Sequence, residues 1–368
     1  MAIGALIRDL REARGWSQGR LADEINSAFG TALGREYVSR WERSKVSPGA
    51  FYLRCLSAVL DVPLAALEGE MRRRTFLSDA AATAIAPIVA SDLLSAGFAA
   101  RLHGGPAVEE WESRLDAYGT DYMSLGASDI QRRVAGALVS VQQQLDEPRL
   151  WGVAARLMTL YAKTFPGSDG SKAVQWYRMA AEAADRSGDD ESRIWVRGRA
   201  AIALGYEGAA LGVADVLADQ AIAISGRPSL GVLNAVMGKA HAAAIRGDRA
   251  TTLRLADQGR RIFDKAGSHE QTSDYAVPWW RMNVFLSLLL ARLGDERGAM
   301  SAQESARREL PAELPRFATH LEMHQGLMLA RSGDPSGGAA YARTALNALP
   351  PEKHSLTLRL LMSEIEKA

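Results

Sequence analysis

Apolar residues recur at three- and four-residue spacing almost from the start of the chain. Ile3, Leu6, Ile7 and Leu10 share one helical face, as do Leu21, Ile25, Val38 and Trp41, and Leu53, Leu56, Val59 and Leu60 form a third. Helices this short are marginal alone, so the pattern predicts one small core shared by residues 1–70. Ser17 suits the start of the second helix, since its hydroxyl can accept from an orphan backbone N–H and Gln18 then falls in the first turn. In the next helix Arg35, Glu36, Ser39 and Arg40 project from one side while Val38 and Trp41 face the core.

The rest of the chain is rich in Ala, Leu and Arg and is punctuated by Gly188-Asp189, Gly247-Asp248, Gly294-Asp295 and Gly333-Asp334. Glycine can end a helix in the left-handed conformation and aspartate can cap the next, so each pair predicts a helix–turn–helix junction. Gly247 and Gly294 are 47 residues apart, and Gly294 and Gly333 are 39 apart. A period near forty predicts stacked helix pairs. First helices are expected near 190–205, 229–246, 274–293 and 317–332, and second helices near 209–225, 249–266, 296–309 and 335–348. A last helix over Glu352–Glu366 would cap the array. Small residues at four-residue spacing, such as Ala214 and Ala218, or Gly338 and Ala342, would let neighbouring helices approach closely. The expected fold is therefore all-α: a helix-turn-helix domain over 1–70, a partly helical linker over 71–107, and an α-solenoid of helix pairs over 108–368.

Arg11, Ser17-Gln18, Leu21-Ala22 and Val38-Ser39-Arg40-Trp41-Glu42 together resemble the Xre/Cro-type helix-turn-helix family over roughly residues 3–68. That resemblance implies an ion pair between Arg11 and Glu42. It also implies base contacts from Arg35, Glu36, Ser39 and Arg40, and phosphate contacts from Gln18 and the Arg43–Lys45 turn, on a double-stranded DNA operator. The connection from Asn26 to Gly34 is longer than the family's tight turn. The helix pairs resemble tetratricopeptide repeats. The whole layout looks like an actinobacterial-type Xre regulator with a tetratricopeptide sensor domain, and is similar to the RRNPP peptide-pheromone receptors. Such a layout implies a peptide, small-molecule or protein effector on the array.

Charge alone does not identify DNA as the partner, because residues 1–70 hold nine Lys/Arg and nine Asp/Glu. The local balance is more informative: Arg35, Arg40, Arg43 and Lys45 fall within eleven residues against two acids, and Arg72-Arg73-Arg74 follow. A domain of this kind binds modestly alone, so a homodimer that doubles the phosphate contacts is expected. The competing reading is a protein-interaction scaffold whose array binds a partner protein and whose N-terminal domain only docks or dimerises.

Thirteen residues before successive terminal glycines stand Asn234, Arg281 and His320, and four residues on stand Gly238, Phe285 and His324. On a curved array these would form one row along the concave surface, a tentative ligand site in which the amide can pair with a peptide bond and the guanidinium with a carboxylate. Trp279-Trp280 beside Arg281 are read first as packing residues and second as a wall of that groove. His320 and His324 share a helical face, but two imidazoles without a further ligand do not make a metal site. No metal or other cofactor is expected, and neither a phosphate-binding loop nor a nucleophile motif supports an enzyme.

The segment Met71–Ala90 imitates a twin-arginine export signal, yet it follows a DNA-binding domain and is read as a linker helix. No apolar run is long enough for a membrane span. Cys55 is the single cysteine and fits a small core residue in a reducing cytoplasm, where the protein is expected to reside.

Overall fold

A computed structural model describes residues 3–43, 45–60, 86–165 and 171–368. The triplet Arg72–Arg74 and most of the Met71–Ala90 segment lie outside the described residues, as does the end of the expected 1–70 domain. Among the described residues every regular element is helical, and no helix is long and apolar enough to cross a membrane. Contacts divide the chain into two compact units, Met1–Ala90 and Ser91–Ala368.

The first unit contains α1 (Ile3–Ala13), α2 (Gln18–Phe29), α3 (Arg35–Glu42) and α4 (Ala50–Val59). Ile7, Leu21, Ile25, Val38, Trp41, Leu53 and Leu56 make one core, with Cys55 buried among them. Burial raises the Cys55 thiol pKa, as for a small core residue. Ser17 caps α2 by accepting from the Arg20 N–H at 3.1 Å. The long connection is resolved by Asn26, which lies inside α2. Its side-chain oxygen accepts from the Thr31 hydroxyl at 2.6 Å and the Leu33 N–H at 2.7 Å, while its amide donates to the Leu33 carbonyl at 2.9 Å. The helix thus continues to Phe29, Gly30 turns the chain at φ 65°, and only residues 30–34 bridge to α3.

Helix α5 (Ala86–His103), which occupies part of the expected linker, crosses the division after Ala90, and the second unit continues with α6 (Val108–Ser124), α7 (Ala127–Gln142), α8 (Arg149–Ala162) and α9 (Ser171–Ser187). Four helix pairs follow: α10 (Asp190–Glu207) with α11 (Leu211–Ile224), α12 (Leu230–Ile245) with α13 (Arg249–Ala266), α14 (Trp279–Arg292) with α15 (Glu296–Glu309), and α16 (Pro315–Arg331) with α17 (Pro335–Ala348). Gly188, Gly247, Gly294 and Gly333 all adopt positive φ. Asp189, Asp248, Asp295 and Asp334 each accept from backbone N–H groups in the first turn of the helix that follows.

Two element boundaries differ from expectation. Residues 274–278 are not helical, because Pro278 disfavours helix just before it and the Ser273, Asp274 and Ala276 carbonyls turn instead to the Arg281 guanidinium at 2.9–3.2 Å. The capping helix over Glu352–Glu366 is shorter: a 3-10 turn at Pro351–Lys353 precedes α18 (Leu356–Ile365), whose start is fixed by Ser355 accepting from Leu358.

The array is also not an open trough. Arg316 of α16 donates to the Tyr122 carbonyl of α6 at 2.9 Å, and the Asp274 N–H donates to the Gly119 carbonyl at 3.0 Å. Arg292 of α14 pairs with Glu364 of α18 at 2.8 Å, and α18 packs on α10, α16 and α17. Early and late helices are thereby tied across the interior, and the inner faces of the first helices are buried.

The closest helix crossing joins α10 to α12. A Cβ on Gly198 would stand 2.0 Å from the Gly231 carbonyl oxygen, and one on Gly205 would stand 2.4 Å from that of Gly238. Gly198→Ala should therefore force the two backbones apart and cost about 1–3 kcal/mol. Gly212→Ala, in helix α11 with open space around it, should be neutral or stabilising by about 0.5–1 kcal/mol. Thermal unfolding of the two variants checks this, the first lowering the midpoint and the second leaving or raising it.

Candidate nucleic-acid interface and effector cavity

In the first unit α3 is fixed on its inner side by a buried ion pair. Arg11 Nε donates to Glu42 Oε1 at 2.6 Å and its Nη2 to Oε2 at 3.1 Å, while Nη1 donates to the Trp16 carbonyl at 2.6 Å. The hydrogen bond from Glu42 raises the Arg11 pKa. This joins α1 to the end of α3, as the family resemblance implied.

With Val38 and Trp41 buried, α3 presents Arg35 and Glu36 with side chains 76% and 74% exposed. They approach each other at 3.7 Å, a loose surface pair that leaves Arg35 available to a ligand. Arg40 is exposed and its guanidinium lies 5.9 Å from the Tyr37 ring centroid, whereas Ser39 is half-buried. Arg43 and Lys45 are exposed in the turn after the helix, where the Lys45 N–H donates to the Arg40 carbonyl at 2.9 Å.

Gln18 is placed differently from a free phosphate ligand. Its side-chain amide donates to Glu42 Oε2 at 2.7 Å, so a phosphate would meet the first-turn backbone of α2 before it met the side chain. Tyr37, half exposed between the reading residues, was missed from the sequence. Its position on the Arg35–Arg40 face is the signal that could have found it.

In the second unit, Arg281, Phe285 and His320 line one cavity of ≈ 70 Å³ together with Tyr122, Lys163, Arg199, Tyr206, Glu207, Arg316 and Phe317. His324 lies just behind this lining. Its Nε2 is 3.0 Å from the Tyr206 hydroxyl and its Nδ1 2.9 Å from Ser287 Oγ, while the same tyrosine reaches His320 Nδ1 at 3.4 Å. Burial and the nearby Arg316 push His320 down to about 3, and burial with neighbouring cationic groups holds His324 well below its ordinary value. Both are neutral hydrogen-bonding groups at neutral pH. Among the described residues no three His, Cys, Asp or Glu side chains converge as a metal site.

Asn234 is buried but does not line the cavity, and its side-chain oxygen has no partner. Trp280 is buried against Phe317 with ring centroids 5.0 Å apart, and Trp279 packs on Phe263 at 5.7 Å, so the pair serves packing.

At the cavity wall Asp274 Oδ1 accepts from Lys163, from Arg199 Nη2 at 2.8 Å and from Arg281 Nη2 at 2.8 Å. Burial alone would raise this carboxyl, but the charges of Arg199, Lys163 and Arg281 outweigh it and hold the pKa well below the usual range. Lys163 is pushed the other way from charge: burial and the like charges of Arg199 and Arg281 depress it well below an ordinary lysine despite Asp274. Lys163, Arg199 and Arg316 were not singled out from the sequence. A run such as Ile194–Tyr206, almost wholly apolar apart from Arg197 and Arg199, carries the signal that could have found one of them.

The geometry of α2, α3 and the Arg11–Glu42 pair defines a helix-turn-helix domain of the Xre type, and residues 7–67 match the helix-turn-helix family. The chain carries at its N-terminal end a helix-turn-helix domain of the kind that DNA-binding regulators use, followed in sequence by an all-helical region of repeated helix pairs. A solved structure, PlcR of Bacillus thuringiensis in complex with the peptide PapR7 and DNA, is similar at 16% identity and a TM-score of 0.35, covering 72% of this chain and 94% of that one. No curated protein matches the chain.

A depressed carboxylate stabilises the fold fully above its unfolded pKa, near 4, and that contribution is lost as pH falls toward the folded value. Asp274→Asn removes the carboxylate that Lys163, Arg199 and Arg281 share and should cost about 3–5 kcal/mol at neutral pH. Denaturant unfolding at a series of pH values should also show a flatter fall in stability below about pH 4 in the variant than in the wild type.

Proposed function

We propose that the protein is a sequence-specific transcriptional regulator that binds its operator as a homodimer. The observation that carries this reading is the exposed α3 face, Arg35, Glu36, Ser39 and Arg40, held rigidly by the buried Arg11–Glu42 pair. Arginine can pair bidentately with guanine in the major groove, and a face built only for folding has no need of two exposed arginines there. Arg43 and Lys45, with the α2 N-terminus at Gln18, fit phosphates on either side and set the register.

The repeat unit, read as a tetratricopeptide-like sensor and dimerisation domain over 108–368, takes an effector in the cavity bounded by Arg281, Phe285 and His320. His324 supports the lining through Tyr206, and Asn234 has no place in it. An effector acts by its difference in affinity between two forms of the dimer, only one of which matches the half-site spacing. The cytoplasm is the compartment where such a reader meets DNA.

The test is selection of genomic fragments by the purified full-length protein, beside an Arg35→Ala, Arg40→Ala double variant. Enrichment of a paired motif by the wild type, lost in the variant while helicity is kept, is the expected outcome. Equal enrichment by both proteins would remove α3 as the reader. Enrichment by neither, with a partner protein captured on the array, would favour the scaffold.

A further inference from the structure

The cavity of the second unit gathers more basic groups than acids. Lys163, Arg199, Arg281 and Arg316 all line it, and all four side chains are almost wholly buried. Three of them share a single oxygen of Asp274. Arg316 meets only neutral partners: the Tyr122 and Met123 carbonyls, at 2.9 and 3.4 Å, and the rings of Tyr122 and Phe317, at 5.1 and 5.4 Å. The acid on the lining itself is Glu207, which accepts from the Thr357 hydroxyl at 2.9 Å and whose carboxyl is raised by burial, Asp274 lying outside the lining. Four basic groups therefore face at most two carboxylates in a site largely withdrawn from water.

Two of these groups are also incompletely bonded. The Nε atoms of Arg199 and Arg281 are buried without a hydrogen-bond partner. A buried guanidinium N–H left unmade costs free energy, and so does a buried cation without a counter-charge, which a bound anion would offset. Part of the remaining wall is apolar or aromatic: Tyr122 lies under Lys163, whose Nζ is 3.9 Å from the ring centroid, beside Phe285, Phe317 and Ile202, while Tyr206, His320, Ser355 and Thr357 add neutral polar groups. A void of ≈ 70 Å³ is too small for an extended peptide and suits a compact head group.

We infer that this cavity binds a small organic anion, its carboxylate or phosphate held by Lys163, Arg199, Arg281 and Arg316 and its aromatic or aliphatic body set against Tyr122, Phe285 and Phe317. The inference rests on the reading of the repeat unit as effector-binding and names the effector's chemistry. The anion would bridge helices from both ends of the array, because Lys163 follows α8, Arg199 lies on α10, Arg281 on α14 and Arg316 on α16. Its occupancy would therefore change how tightly the ends are tied, without any contact to DNA.

The experiment measures thermal unfolding of the full-length protein with phenyl phosphate, benzoate or benzyl alcohol at constant ionic strength. The expected result is a saturable rise of about 3 °C or more with one or both anions and none with the neutral alcohol. Phenyl phosphate against benzoate distinguishes the phosphate from the carboxylate source. Arg316→Gln, which leaves the Asp274 cluster intact, should abolish at least most of the rise, and Lys163→Gln provides an independent second variant. Arg132→Gln removes an exposed charge elsewhere and should keep the rise. Equal shifts with charged and neutral probes, no shift with either anion, or a shift unchanged in both cavity variants would overturn the inference. The readout contains no DNA, so its failure removes the anion site alone, whereas failure of the operator selection removes the regulator.

Discussion

The repeat unit depends on one carboxylate. Asp274, with a side chain only 1% exposed, brings together Lys163 after α8, Arg199 on α10 and Arg281 on α14. Its own backbone N–H bonds Gly119 of α6. Burying so many charges is costly unless their geometry is fixed from several sides, and here the surrounding helices supply that fixing. Arg281 adds three carbonyls of the Ser273–Ala276 turn, so the loop before α14 is built around the same cation. The array folds around this knot instead of opening into a trough, and the remaining positive charge becomes a feature of its interior.

The first unit solves a similar problem on a smaller scale. A helix of eight residues, Arg35–Glu42, has little stability of its own. Val38 and Trp41 anchor its inner face, and Arg11 and Gln18 both donate to Glu42 at its last residue. The outer face is then free to carry Arg35, Glu36 and Arg40 without a packing role. Asn26 performs the equivalent service for the connection, replacing turn hydrogen bonds with those of its own side chain.

What was legible in the sequence was local chemistry. The Gly-Asp junctions were readable because a positive-φ residue followed by an N-cap is specified within a few neighbouring residues, and the structure places a cap at each. Arg11 and Glu42 were legible through a family pattern. The Asp274 cluster was not, since its partners Lys163 and Arg199 stand 111 and 75 residues away and no periodicity links them. Counting back from the terminal glycines brought Arg281, Phe285 and His320 into one cavity but not Asn234. That residue sits between Gly231 and Gly238, whose missing side chains let α12 press against α10, so its face is used for close packing. Pro278, visible in the sequence, delays the start of the expected 274–293 helix to Trp279, because the residue before a proline is pushed from helical geometry.

Both units thus use buried ion pairs to fix a face: α3, proposed to read DNA, and the wall of the cavity proposed to take an anion. The most direct measurement is the affinity of the full-length protein for its own selected fragment between about 50 and 200 mM salt, with an Arg43→Ala, Lys45→Ala variant alongside. A dimer making six or more phosphate contacts should lose about a thousandfold or more in affinity over that range, with a shallower slope in the variant. Affinity that does not change with salt, or the same slope in both proteins, would contradict a DNA reader built on α3 and the turn that follows it.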